Sequence, residues 1–218
     1  MSEHHDSHHD HDHARPQRHP FQPDADDTLT YHRKLEIAVR ELLIEKGIFT
    51  ADEVRAGVED MDGRTPDRGA KVVARAWVDP EFKRFLLADG TRACESLGLD
   101  MSVYDAKLAV VENTPDVHNV IVCTLCSCYP RALLGLPPSW YKSLAYRSRT
   151  VREPRAVLKA FGLELPDRVE IRVHDSTADL RYLVLPMRPE GTEGMSEAEL
   201  AKLVTRDSMI GVALAQRP

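Results

Sequence analysis

The chain has 218 residues, 42% of them hydrophobic and 29% charged, with a formal net charge of -6. That length fits one large domain, or one domain with an arm, and the acidic balance argues against nucleic acid or a membrane surface as the principal partner. Four cysteines, three of them crowded together, make a poor disulfide framework, and no apolar run reaches the length of a signal core or a membrane span, so a reducing cytoplasm is the expected compartment.

Residues 1–27 read as a disordered His/Asp-rich tail. Seven of the ten histidines fall within the first nineteen residues, interleaved with Asp6, Asp10 and Asp12 and followed by Pro16, Pro20 and Pro23. Such a composition builds no core. It suits weak buffering of divalent metal as well as it suits mere solubilisation.

Residues 28–68 read as a helical arm. Leu35, Ala38, Val39 and Leu42 recur at helical spacing on a helix that runs to Lys46, where Gly47 supplies a permissive stop. Thr50 and Glu53 form a capping box for a second helix. Leu43, Ile44, Ile48 and Phe49 widen the apolar surface, so the arm is expected to lie on a partner subunit, with packing against its own domain as the alternative.

Residues 69–218 read as a metal-binding catalytic α/β domain. From Gly69 to Leu97 the chain is helical in short pieces, with Asp79-Pro80 as N-cap and first helical position, and with Gly90 and Gly98 breaking or ending turns. Trp77 and Phe82 are expected in the core, and Cys94 is expected as a buried structural thiol. Residues 107–111 and 117–122 read as strands. Ser139 is expected to cap a helix carrying Trp140, Tyr141 and Leu144, and Pro154 to open another that ends at Gly162.

Val169 to His174 alternates with period two, and Leu180 to Leu185 is a further strand. The short turn from Ser176 to Asp179 makes antiparallel pairing the default between them. Ser196 and Glu199 form a capping box for the last helix, which leaves Met209 to Val212 as a closing strand segment. The expected fold is therefore α/β, a mixed layered domain with an antiparallel-rich sheet and an extended helical N-terminal arm. No glycine-rich dinucleotide or phosphate loop is present.

Val122-Cys123-Thr124-Leu125-Cys126-Ser127-Cys128-Tyr129-Pro130 holds three of the four cysteines on a turn leaving a strand end. Its C-x-x-C-x-C spacing can converge three thiolates on one ion, while the amides of Ser127 and Cys128 point at the same centre. Deprotonated amides are strong-field donors that trivalent cobalt or iron tolerates and that four-coordinate zinc does not need. A zinc site completed by Cys94 or a histidine, a thiol redox site and inert buried thiols remain open on spacing alone. No cysteine run suits an iron-sulfur cluster.

This stretch resembles the metal-binding claw of the nitrile hydratase alpha subunit and of the related thiocyanate hydrolase gamma subunit. The resemblance extends through Ala70 to Trp77, Asp79 to Lys83, Val111 to Thr114, Tyr146 to Arg149, Val151 to Arg155 and Leu203 to Val212, covering residues 31–213. It implies an α/β fold with a helical arm that wraps a beta-type subunit, possibly split into two chains. It also implies one noncorrin low-spin Co(III) per chain, or less fittingly Fe(III). Cys123, Cys126, Ser127 and Cys128 would hold the metal. By the same resemblance Cys126 would be a sulfinate, Cys128 a sulfenate and Cys123 an unmodified thiolate, with Cys128, Cys126 and Ser127 as the catalytic group. Thr124 resembles the cobalt-type claw.

Three thiolates and two ionised amides carry five negative charges, so a trivalent metal leaves a surplus of two. Arg131, Lys142, Arg147 and Arg149 are the nearby cations in sequence that could offset it. The implied reaction is hydration of a nitrile to its amide. Arg131, where nitrile hydratases usually carry tryptophan, is a possible pocket residue and resembles the thiocyanate enzyme, which makes carbonyl sulfide and ammonia. His174 likewise stands where tryptophan is usual. Against a serine hydrolase, Ser127, Ser139 and Ser148 lack a nucleophile elbow, and His118 and His174 show no triad order. A non-catalytic metal-binding or assembly protein is the reading from a different class.

Overall fold

Thr30 and Thr50 open the first two helices by the local chemistry their types predict. In the computed structural model, which describes residues 29–102 and 106–218, α1 (Tyr31–Glu45) begins where Thr30 Oγ1 accepts the Arg33 N-H. It closes before Gly47, whose φ of 67° suits glycine alone. The expected capping box of Thr50 and Glu53 starts α2 (Ala51–Asp62). No residue of either helix is buried, and Leu35, Val39 and Leu42 are exposed. The apolar stripe of the arm thus has no cover among the described residues. The tail expected over residues 1–27 lies outside the described residues.

The domain proper begins with α3 (Asp67–Val78), which turns Ala70, Val73, Ala74 and Ala76 inward. Asp79 caps α4 (Pro80–Ala88) by accepting from the Glu81 and Phe82 amides. Gly90 does not end a turn. It is the first residue of α5 (Gly90–Ser96), and a Cβ there would stand 2.6 Å from the Leu108 carbonyl oxygen, so glycine lets this helix meet β1 (Lys107–Glu112). Phe82 and Cys94 are buried as expected, whereas Trp77 is half-buried and donates from Nε1 to the Pro186 carbonyl at 2.8 Å.

The expected antiparallel-rich sheet is overturned. The strands β2 (Val117–Val122), β3 (Glu170–Asp175) and β4 (Leu180–Leu185) join β1 in two separate two-stranded sheets, β1 with β4 and β2 with β3, and both pairs are parallel. Among the described residues helices predominate over these four strands, so the fold is mostly helical.

The physical reason lies in the turn at Ser176 to Asp179, which rounds a corner from one sheet to the other instead of closing a hairpin. The Ser176 amide donates to the Val122 carbonyl at 2.7 Å, and the Lys107 amide to the Asp179 carbonyl at 2.9 Å. Each end of the turn is thereby tied to a strand that comes earlier in the chain. The strand β2 is buried along its last five residues, with the polar His118 and Asn119 hydrogen-bonded, as befits a parallel strand covered on both faces.

The crossover that parallel pairing requires is made between β2 and β3 by α6 (Arg131–Leu134), α7 (Ser139–Lys142), α8 (Leu144–Arg152) and α9 (Pro154–Ala160). Ser139 is the first residue of α7 and makes no cap; Ser143 caps α8 through the Tyr146 amide. The predicted box of Ser196 and Glu199 opens α10 (Glu197–Ala201), which is not the last helix.

Met209 to Val212 is not a strand. Thr205 and Ser208 cap a further helix, α11 (Arg206–Ile210), which ends at Gly211 with φ 91°. A Cβ on Gly211 would lie 2.0 Å from the Asn119 carbonyl oxygen, which ties the helix end to β2. The core runs from Val72 and Leu86 through Ile121 and Leu183 to Trp140, Tyr141 and Tyr146, all essentially inaccessible. No helix among the described residues is long and apolar enough to cross a membrane.

Candidate metal centre

β2 delivers Cys123 into the core and the chain then turns out, so Cys123 and Cys128 are buried while Cys126 is exposed. The turn folds the three sulfurs onto one another. Sγ of Cys126 lies 3.4 Å from that of Cys123 and 3.1 Å from that of Cys128, and all three fall within 4.8 Å. The Cys126 amide reaches back to Cys123 Sγ at 3.2 Å, and the amides of Ser127 and Cys128 are directed at Cys126 Sγ.

Metal-sulfur bonds of about 2.3 Å put two sulfurs about 3.3 Å apart at a right angle and about 3.8 Å apart at a tetrahedral angle. The observed 3.1 and 3.4 Å suit right-angle coordination, with the two amides beside the sulfurs. Three sulfurs with two amides beside them make a donor set that a six-coordinate trivalent ion can use. Cys94 sits on α5 in the core outside this cluster, and burial pushes its thiol up to about 12, which leaves it inert. All four cysteines are free.

Without a metal, charge in the cluster settles on Cys126. Hydrogen bonds from Cys128 and then Cys123, helped by the two backbone amides, draw its thiol down to about 7. Burial, and then the hydrogen bond to Cys126, push Cys128 up to about 12, against a pull from the Arg181 charge.

Distant residues hold the turn from outside. Tyr141 on α7 donates its hydroxyl to the Cys128 carbonyl at 2.9 Å, and Tyr146 on α8 donates to the Ile121 carbonyl at 2.8 Å. Arg147 donates from Nε to the Cys123 carbonyl at 3.0 Å and from Nη2 to the Thr124 carbonyl at 2.6 Å. Asp175 at the end of β3 accepts from the Thr124 amide at 2.9 Å and from its hydroxyl at 2.5 Å. Trp140, stacked edge-on against Tyr146 and Phe161 at centroid distances of 4.9 and 4.8 Å, backs this frame.

A cavity of about 260 Å³ opens over the claw, lined by Cys126, Ser127, Cys128, Tyr129, Arg131 and Arg181. Of the four cations singled out in the sequence, only Arg131 lines it. Arg147 grips carbonyls, Arg149 pairs with Glu153 at 2.7 Å, and Lys142 is exposed at the end of α7. Arg181 reaches the cavity from β4, more than fifty residues beyond the claw, and its one sequence signal is a lone charged residue within an otherwise apolar strand.

Neither histidine of the domain serves a serine nucleophile. His118 donates from Nε2 to the Gly211 carbonyl at 2.8 Å and accepts at Nδ1 from Asn113 at 3.2 Å, while His174 donates to Asn119 Oδ1 at 2.8 Å. The hydrogen-bond network assigns these tautomers, and burial holds both imidazoles below their ordinary range.

Residues 30–213 match the family model described as nitrile hydratase, alpha chain. The chain is 54% identical over 181 residues to the cobalt-containing nitrile hydratase subunit alpha of Pseudonocardia thermophila, covering 82% of this chain and 88% of that one. It is 48% identical over 191 residues to the thiocyanate hydrolase subunit gamma of Thiobacillus thioparus, covering 83% and 78%. Among solved structures, a double mutant of the Fe-type nitrile hydratase from Comamonas testosteroni Ni1 superposes with a TM-score of 0.82 at 46% identity, covering 89% and 94%.

Proposed function

This chain belongs to the nitrile hydratase alpha-chain family, and we propose that it is the metal-bearing subunit of a nitrile hydratase, adding water to a carbon-nitrogen triple bond to give the amide. The observation that carries the reading is the convergence of the Cys123, Cys126 and Cys128 sulfurs within 4.8 Å of one another at the end of β2. These three cysteines and the Ser127 and Cys128 amides are the proposed ligands. Cobalt is the proposed metal, supported by Thr124 in the claw and by the cobalt-containing relative.

When bound, a trivalent metal supplies Lewis acidity that polarises the nitrile or activates water. The chain's own residues supply the rest. Were Cys126 a sulfinate and Cys128 a sulfenate, Cys128, which lines the cavity, would supply an oxygen as nucleophile or base. Ser127 adds a hydroxyl beside the sulfur oxygens. Tyr141, Arg147 and Asp175 fix the backbone so that the sulfurs keep their spacing. Arg131 lines the cavity, where it would offer donors to a polar substituent of the substrate.

The uncovered stripe of α1 supports a beta-type partner, in one chain or two, whose surface closes the arm and the claw. Thiocyanate hydrolysis is the second reading, and one observation favours it: Arg131 lines the cavity, where a cation attracts an anion. The test is to co-express the chain with its neighbouring reading frames in cobalt medium and assay purified complex on small nitriles and on thiocyanate. Amide from the nitriles supports the first reading. Carbonyl sulfide and ammonia, without amide, replace it by the second.

A further inference from the structure

The charge surplus of the claw has to be met in a part of the molecule where Cys123 and Cys128 are buried. Three of the four cations nearest in sequence are spent elsewhere or face away from the cavity. The lining instead brings together Arg131 and Arg181 and contains no carboxylate. Arg181 thus brings a guanidinium of this chain to the side of the claw where a trivalent ion on three thiolates and two ionised amides leaves a negative surplus.

Arg181 is half-buried on β4, where its backbone is fixed by parallel pairing with Leu108, and its guanidinium donates to the Thr177 carbonyl in the corner between β3 and β4. The guanidinium is thereby anchored at that corner, and the residue lines the cavity over the claw. We propose that Arg181 is a positioning residue of the claw: its guanidinium stands at Cys128 as a counter-ion from the same chain, so that the chain holds its metal before a partner surface closes over it. The inference rests on the reading of the claw as a metal centre.

The competing role is purely structural, with Arg181 doing no more than pinning the corner through Thr177. Charge and pinning are separated by comparing Arg181→Gln with Arg181→Lys. The metal-free full chain would be titrated anaerobically with Co(II) against a chromophoric chelator. The thiolate-to-cobalt absorption band is the readout, because it ignores ions held by the histidines of residues 1–27. Arg181→Gln should weaken sulfur-bound cobalt by about tenfold or more at low salt, with the gap narrowing as salt rises, as a lost charge partner does. Arg181→Lys should recover most of the loss.

Unchanged affinity in Arg181→Gln, or equal losses in the Gln and Lys variants, overturns the inference while leaving the metal centre intact. If Arg181→Gln fails to fold, the Lys variant decides: retained affinity supports the counter-ion role and a loss of about tenfold overturns it. Absence of the band in the wild-type chain overturns the metal-centre reading together with this inference.

Discussion

Tyr141 donates its hydroxyl to the carbonyl oxygen of Cys128 at 2.9 Å, from a ring that is entirely buried. One hydrogen bond thus ties helix α7 to the last cysteine of the claw, across thirteen residues of chain. Burial keeps the phenol protonated, so it stays a donor across the working pH range.

Tyr141→Phe keeps the ring packing and removes only that donor. Leaving the carbonyl unpaired costs about 1–3 kcal/mol. If that loss falls on the placement of the Cys128 sulfur, kcat should drop about tenfold with KM nearly constant. Steady-state kinetics and thermal unfolding of the complex check it. A kcat equal to wild type shows that the Cys128 backbone holds its place without Tyr141.

The cysteines should divide sharply. Cys128→Ser should abolish turnover even where cobalt remains, because it removes the sulfur proposed to carry the reactive oxygen. Cys94→Ala should leave cobalt at its wild-type content and only lower the melting temperature, because Cys94 fills core space outside the cluster. Metal analysis by inductively coupled plasma, together with turnover, checks both. Loss of metal in Cys94→Ala would revive the zinc-type site that uses this residue.

Stability should fall on acidification through two histidines. Burial holds His118 and His174 below their ordinary value of 6.5 in the folded chain. The unfolded chain therefore takes up protons first, so the stabilisation is complete above that value and is lost as pH falls below it. A proton on His118 Nδ1 would also face the Asn113 amide donor. The melting temperature should drop between pH 7 and pH 5, and less steeply in His174→Trp, which deletes one of the two groups. A flat profile in the wild type counts against the assigned network.

Arg131 separates the two substrate readings. Arg131→Trp should leave hydration of small nitriles intact or improved and hinder bulky ones by narrowing the cavity. If thiocyanate is the substrate, the same change removes a charge-assisted hydrogen bond worth about 1.5–3 kcal/mol, and kcat/KM should fall about tenfold or more. The measurement is kcat/KM for a small nitrile, a bulky aromatic nitrile and thiocyanate at two salt concentrations. Loss of small-nitrile turnover with an unchanged thiocyanate rate contradicts both readings.

Much of the molecule is written in short-range chemistry that a linear sequence displays. The claw cysteines lie within six residues, so their convergence needs only a turn, and Cys123, Cys126 and Cys128 meet as their spacing predicts. Caps act over three residues, which is why Thr50 with Glu53, Asp79 before Pro80, and Ser196 with Glu199 are legible. Ser139, expected to cap, is instead the first residue of α7, and the cap is made by Ser143 for α8.

Strand pairing was decided only in three dimensions. A four-residue connection such as Ser176 to Asp179 serves a hairpin or a corner equally well, and the outcome depends on whether β3 and β4 bond each other or strands some fifty to seventy residues away. Here β2 and β1 take those edges, and of the four strands β2, buried along its last five residues, lies deepest in the core. The same long-range pairing carries Asp175 to Thr124 and Arg181 to the cavity over Cys128. Sequence periodicity records which face of an element is apolar, and it holds no record of which distant element will cover that face.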